Sequence, residues 1–165
     1  MAGVEAWSAV PQEEGPDGLT AGERLILGGC RYWASLRLAG VEPQGPVRNL
    51  VSGRASDRAA ALFVAMMESL EKQTRRPLDF RCAGCAGCSM DEQRLVVACG
   101  VARIDMQTAR SLLTPLIHQP EAVVVFARAV NMVLAHEGLE LPARLSHAPP
   151  PPPGSGPRPA GATLH

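Results

Sequence analysis

The sequence predicts an all-α domain: an irregular bundle of about five helices, with a cysteine-rich turn between the second and third. Three observations carry this. Aromatic residues make up 4% of the chain and apolar residues 46%, so the core must be built from Leu, Val, Ala and Met, a helical palette. Apolar residues recur at i, i+3, i+4 and i+7 along several segments. Ser/Thr-x-x-Glu capping boxes at Thr20 and Ser89 mark two helix starts.

Residues 1–18 are rich in Gly, Pro and Glu and lack periodicity. They are expected to form a loose arm, with Trp7 and Val10 as apolar points. Thr20 and Glu23 open the first helix, which runs to about Leu38 and is closed by Gly40. Leu25, Ile26, Gly29, Cys30, Trp33 and Leu36 share one face. Each mid-helix glycine costs about 1 kcal/mol against alanine, so Gly28-Gly29 predicts a close helix crossing there. Residues 41–55 read as a connector with one short turn carrying Val47, Leu50 and Val51.

Ser56-Asp57 caps the second helix, expected to reach about Arg75. Ala59, Leu62, Phe63, Met66 and Leu70 form its buried stripe. Arg75-Arg76 suits the negative end of the helix dipole, and Pro77 stops the helix. Ser89 opens the third helix, whose apolar face is Leu95, Val96, Cys99, Ala102 and Met106. A fourth helix starts at Asp105 or Thr108 and is interrupted at Pro115. Pro120-Glu121 supplies an N1 proline and an acidic first turn for the fifth, ending near Glu137 with Gly138 as cap. Its wide apolar face, including Val123, Val124, Ala127, Val130 and Leu134, makes it the expected central helix. From Pro142 onward periodicity stops, and Pro149–Pro153 predicts a disordered polyproline-type tail: a ligand for a proline-binding partner, a spacer, or a loosely selected end. The expected division is therefore an arm at 1–18, a helical domain at 19–141 and a tail at 142–165.

Composition also excludes function classes. Sixteen basic and 16 acidic residues cancel, so nothing points to nucleic acid. No segment approaches the roughly 18 consecutive apolar residues of a membrane helix. Met1–Asp17 is acidic and lacks the basic start of a secretory signal, so the expected compartment is the cytoplasm. There five cysteines read as metal ligands, redox groups or core residues, not as structural disulfides. The wealth of Arg, Ala, Gly and Pro suggests a GC-rich bacterial genome. Phosphate-loop, nucleophile-elbow and zinc-protease motifs are missing, which points away from an enzyme.

The chemically pointed stretch is Cys82-Ala83-Gly84-Cys85-Ala86-Gly87-Cys88. Two overlapping C-x2-C knuckles can set three sulfurs around one metal, and Ala-Gly spacers leave room for it. Zinc needs a fourth ligand in a closed site, for which Cys30, Cys99, His118, His136 or water are candidates. An iron–sulfur cluster fits less well, because Ser89-Met90-Asp91-Glu92 follows where a fourth cysteine is expected. The same spacing also makes two dithiol motifs, with Cys88 just before a helix N-terminus. A third reading is an inert turn of small residues. Cys30 and Cys99 sit on apolar stripes and fit best as core thiols. Arg75, Arg76 and Arg81 could form a small anion site beside the turn, but fit better as solvated surface.

Arg75-Arg76-Pro77-Leu78, the cysteine turn and Ser89-x-Asp91-Glu92, set in this helical layout, resemble small helical proteins of proteobacteria over roughly residues 20–141. That family carries no established activity and its cysteine turn varies. The resemblance therefore implies a helical fold and no catalytic residues. The sequence points to a non-enzymatic cytoplasmic protein in which Cys82, Cys85 and Cys88 bind a metal, most plausibly zinc. The alternatives are a helical adaptor with incidental thiols and an unidentified protein partner, or an iron–sulfur or thiol-redox protein.

Overall fold

Thr20 starts the first helix as its capping box requires. Its hydroxyl accepts from the Glu23 amide, and Glu23 accepts from the Thr20 amide at 2.8 Å. The computed structural model describes residues 18–144, so the expected arm, apart from Gly18, and the proline run lie outside the described residues. Six helices are described: α1 (Ala21–Leu38), α2 (Gln44–Ser52), α3 (Asp57–Gln73), α4 (Met90–Val101), α5 (Met106–Leu113) and α6 (Glu121–His136). The fold is all-α, and its only extended pairing among these residues is an isolated bridge between Thr74 and Ile117.

The helix count is six, not about five, because residues 41–55 hold a full helix. Gly45 and Pro46 fall in the first turn of α2, where backbone N–H groups have no intrahelical partner, so the proline removes nothing. Val47 and Val51, four residues apart, are both buried, and α2 lies on α3. The second expected helix ends at Gln73 rather than Arg75. Thr74 turns extended, and Arg75 donates from Nε to the carbonyls of Thr114 and Ile117 beyond α5. That arginine thus staples two elements together instead of complementing its own helix.

Helix α6 packs against α3, α4 and α5, as its wide apolar face predicts. Phe63 of α3 is fully buried, and its ring fills the space left by Gly29: a Cβ there would lie 2.7 Å from the ring. The neighbour at Gly29 is thus the Phe63 side chain and not the backbone of a closely crossing helix, whereas Gly28 faces open space. Leu139–Pro142 returns across α1 and α4, so tightly at Gly100 that a Cβ would collide with the Pro142 carbonyl. Arg144 then pairs with buried Glu23 at 2.6 Å, so the packed chain continues past the expected boundary at 141. No described helix is long and apolar enough to cross a membrane.

Candidate functional site

The cysteine turn joins α3 to α4, and both of its shoulders are fixed by the first turn of α4. Ser89 caps α4 through the Glu92 amide, and its hydroxyl donates back to the Asp79 carbonyl. Asp91 accepts from the Asp79 amide and takes a two-point contact from Arg76 at 2.7 and 2.8 Å. The Arg76 guanidinium therefore holds the Asp91 carboxyl below its ordinary value, helped by the Asp79 amide and opposed by burial.

Glu92 is the centre of the arrangement. It is 1% exposed and accepts four hydrogen bonds: from Arg31 Nε and Nη2 at 2.8 and 3.0 Å, the Arg81 amide at 2.9 Å and the Ser89 amide at 2.9 Å. Burial pushes this carboxyl up. The Arg31 hydrogen bonds and the two amides outweigh that effect and hold it below its ordinary value. Arg31 is itself 6% exposed and reaches across from α1. Two further donors, on Nη1 and Nη2, go to the backbone of the turn, the Cys85 carbonyl at 2.9 Å and the Gly87 carbonyl at 2.6 Å. One buried ion pair thus grips the turn at Arg81, Cys85, Gly87 and Ser89.

On this frame Cys82 and Cys85 are joined as a disulfide, with their Cα atoms 5.2 Å apart. The expectation of three reduced thiols is corrected here. The Cys85 amide bonds back to the Cys82 carbonyl at 3.1 Å, and this tight turn brings the two sulfurs to bonding distance. Cys82 is exposed, while Cys85 and Cys88 are partly covered. Cys88 keeps its thiol and packs against the edge of the core. Arg31 stays protonated chiefly through its hydrogen bonds to Glu92, and the negative charge of Glu92 adds to this against the cost of burial.

The suggested fourth ligands do not come to the turn. Cys30 and Cys99 are core thiols in contact with the sulfurs of Met67 at 3.6 Å and Met66 at 3.8 Å. Burial pushes the Cys99 thiol up to about 12 and raises Cys30 as well, so neither is poised as a thiolate. His118 sits at the end of α3 through its amide, and His136 lies in the last turn of α6. Among the described residues, no group of three or more His, Cys, Asp or Glu side chains could hold a metal ion. The anion site suggested for Arg75, Arg76 and Arg81 is spent on protein groups, Arg81 donating to the Ala86 carbonyl at 2.7 Å.

Beside the turn, Pro77, Leu78 and Phe80 form one wall of a groove of about 380 Å³, completed by Trp33, Leu38 and Leu70. The indole N–H of Trp33 is buried and has no hydrogen-bond partner among the described residues. Sequence reading missed Arg31 as a site residue, because it lies beside Cys30 and Trp33 on a helix judged by its apolar stripe. Glu92 was visible as a cap, but the partner that makes it a clamp is 61 residues away. No protein-family model, curated protein or solved structure matches this chain.

Proposed function

We propose that the protein is a thiol–disulfide couple: a helical module whose turn cycles between the Cys82–Cys85 disulfide and the dithiol. The observation that carries this reading is the pairing of the two cysteines on an exposed turn whose backbone is fixed independently by Arg31 and Glu92. Closing so short a loop, at a sequence separation of 3, restrains the unfolded chain by only about 2 kcal/mol. A bond contributing so little, held by a frame that does not need it, is suited to being made and broken. In a reducing compartment such an exposed disulfide is a transient redox state rather than a staple. The chemistry balances as an exchange. The dithiol gives two electrons and two protons to a disulfide of a small thiol or a protein, which leaves as two thiols.

The test is a redox titration. The chain is equilibrated in glutathione buffers of graded ratio, acid-quenched, alkylated in denaturant and weighed. Cys82 and Cys85 should pass from alkylatable to protected in one reversible step, with the far-ultraviolet helical signal constant. Both sulfurs remaining alkylatable in the most oxidising buffer would refute the couple. Elemental analysis of the reduced chain reads the zinc expectation beside it. About one equivalent of zinc, lost in the Cys82/Cys85/Cys88→Ser variant, would make the turn a metal site instead.

A further inference from the structure

We infer that Cys88 is an internal exchange thiol, so that the disulfide moves within the turn between Cys82–Cys85 and Cys85–Cys88. This rests on the redox reading above and adds a third participant to it. The chain is symmetric about Cys85: an Ala-Gly pair separates it from Cys82 on one side and from Cys88 on the other. The ring that closes in the structure therefore has a counterpart of identical length and composition. Gly87, next to Cys88, has a φ of 70°, a backbone state that the glycine of an Ala-Gly spacer adopts without strain.

Arg31, its charge paired with Glu92, grips the backbone of this second ring. It donates to the Cys85 and Gly87 carbonyls, at 2.9 and 2.6 Å, and so spans the segment that would close. Cys88 also immediately precedes Ser89, the N-cap of α4. The acidic residues of that first turn, Asp91 and Glu92, are engaged by Arg76 and Arg31. Arg81, whose side chain bonds to the Ala86 carbonyl, adds a further cation at the turn.

The step conserves atoms and electrons. The Cys88 thiol gives its proton to solvent, and its sulfur attacks Sγ of Cys85. The Cys85–Cys88 bond forms as the Cys82–Cys85 bond breaks. The electron pair of the broken bond leaves on Cys82, which takes a proton from water. No oxidant is consumed. The consequence is a change of address: the reduced thiol moves from the partly covered Cys88 to the exposed Cys82. The module can then offer either a disulfide or an outward thiol at the same oxidation level.

Differential labelling of the intact chain tests this. The protein is oxidised with glutathione disulfide and acid-quenched. Its remaining thiols are alkylated with one reagent, then the protein is reduced and alkylated with a second. Trypsin cuts after Arg81 and Arg94, so all three cysteines fall in one peptide, and fragmentation assigns the first label. The first label should be found on both Cys88 and Cys82, in amounts within about tenfold, because the two rings match in length and composition. In Cys82→Ser, the same oxidant should protect Cys85 and Cys88 together. Label on Cys88 alone, with both thiols of Cys82→Ser still alkylatable, overturns the inference. That result leaves the Cys82–Cys85 couple standing, whereas failure of the couple appears as label on all three cysteines.

Discussion

Replacing Glu92 by Gln is the sharpest probe of the clamp, because it changes one atom type in a buried group. Each carboxylate oxygen of Glu92 accepts two hydrogen bonds, one from Arg31 and one from the backbone at Arg81 or Ser89. A Gln amide keeps one acceptor oxygen. Its NH2 group must face two donors, whichever way it is turned. The Arg31 guanidinium, 6% exposed, also loses its counter-charge. Breaking a buried ion pair by removing one partner costs about 3–5 kcal/mol. Against a total stability of about 5–15 kcal/mol, that is a large share. With a urea slope of about 1–3 kcal/mol per molar, the unfolding midpoint should fall by at least about 1 M. The double variant Arg31→Met/Glu92→Leu removes both charges and should recover part of the loss. It cannot recover all of it, because the Arg81 and Ser89 amides still lack their acceptor. A midpoint shift below about 0.3 M for Glu92→Gln, at constant slope, would show that the pair does not hold this part of the fold and would refute the reasoning.

Three further outcomes are expected. Gly28→Ala should raise the urea midpoint, gaining up to about 1 kcal/mol of helix propensity, while Gly29→Ala should lower the midpoint through a loss of about 1–3 kcal/mol of stability, because its Cβ would meet the Phe63 ring at 2.7 Å. Equal effects at the two positions would contradict the packing described. Asp91 and Glu92 both titrate below their ordinary values of 3.8 and 4.5. Their stabilisation is thus complete above the unfolded values and should fade as pH drops through the lower folded ones. Stability measured by urea unfolding should decline below about pH 4.5, and less steeply in Asp91→Asn than in the parent. Reduction of the disulfide, or Cys82→Ser/Cys85→Ser, should cost no more than about 2 kcal/mol and leave the helical signal unchanged, which calorimetry and circular dichroism would read.

Local features of the sequence account for most of the helices, because each rests on interactions within a few residues. The Thr20–Glu23 and Ser89–Glu92 boxes, the Ser56 cap and the apolar stripe of α6 are all formed as the residues predict, and of the two starts open to α5, Asp105 and Thr108, Asp105 is the cap. Helix α2 was hidden because Gly45 and Pro46 read as loop formers until their place in a first turn is known. The seven-residue cysteine turn was equally plain, but its state was not. C-x2-C spacing permits a metal knuckle, a dithiol and a disulfide alike, and only the folded turn brings Cys82 and Cys85 into a bond. Tertiary structure also decided what holds the turn. Arg31 and Glu92 are 61 positions apart, and their pairing follows from α1 lying against α4, a juxtaposition set by the shape of the shared core rather than by any local pattern. The sequence by itself therefore determined where helices start and which sulfurs are adjacent, because these depend on neighbours along the chain. The oxidation partner of Cys82, the burial of Cys30 and Cys99 and the clamp on the turn depend on neighbours in space, which only the packed helices define.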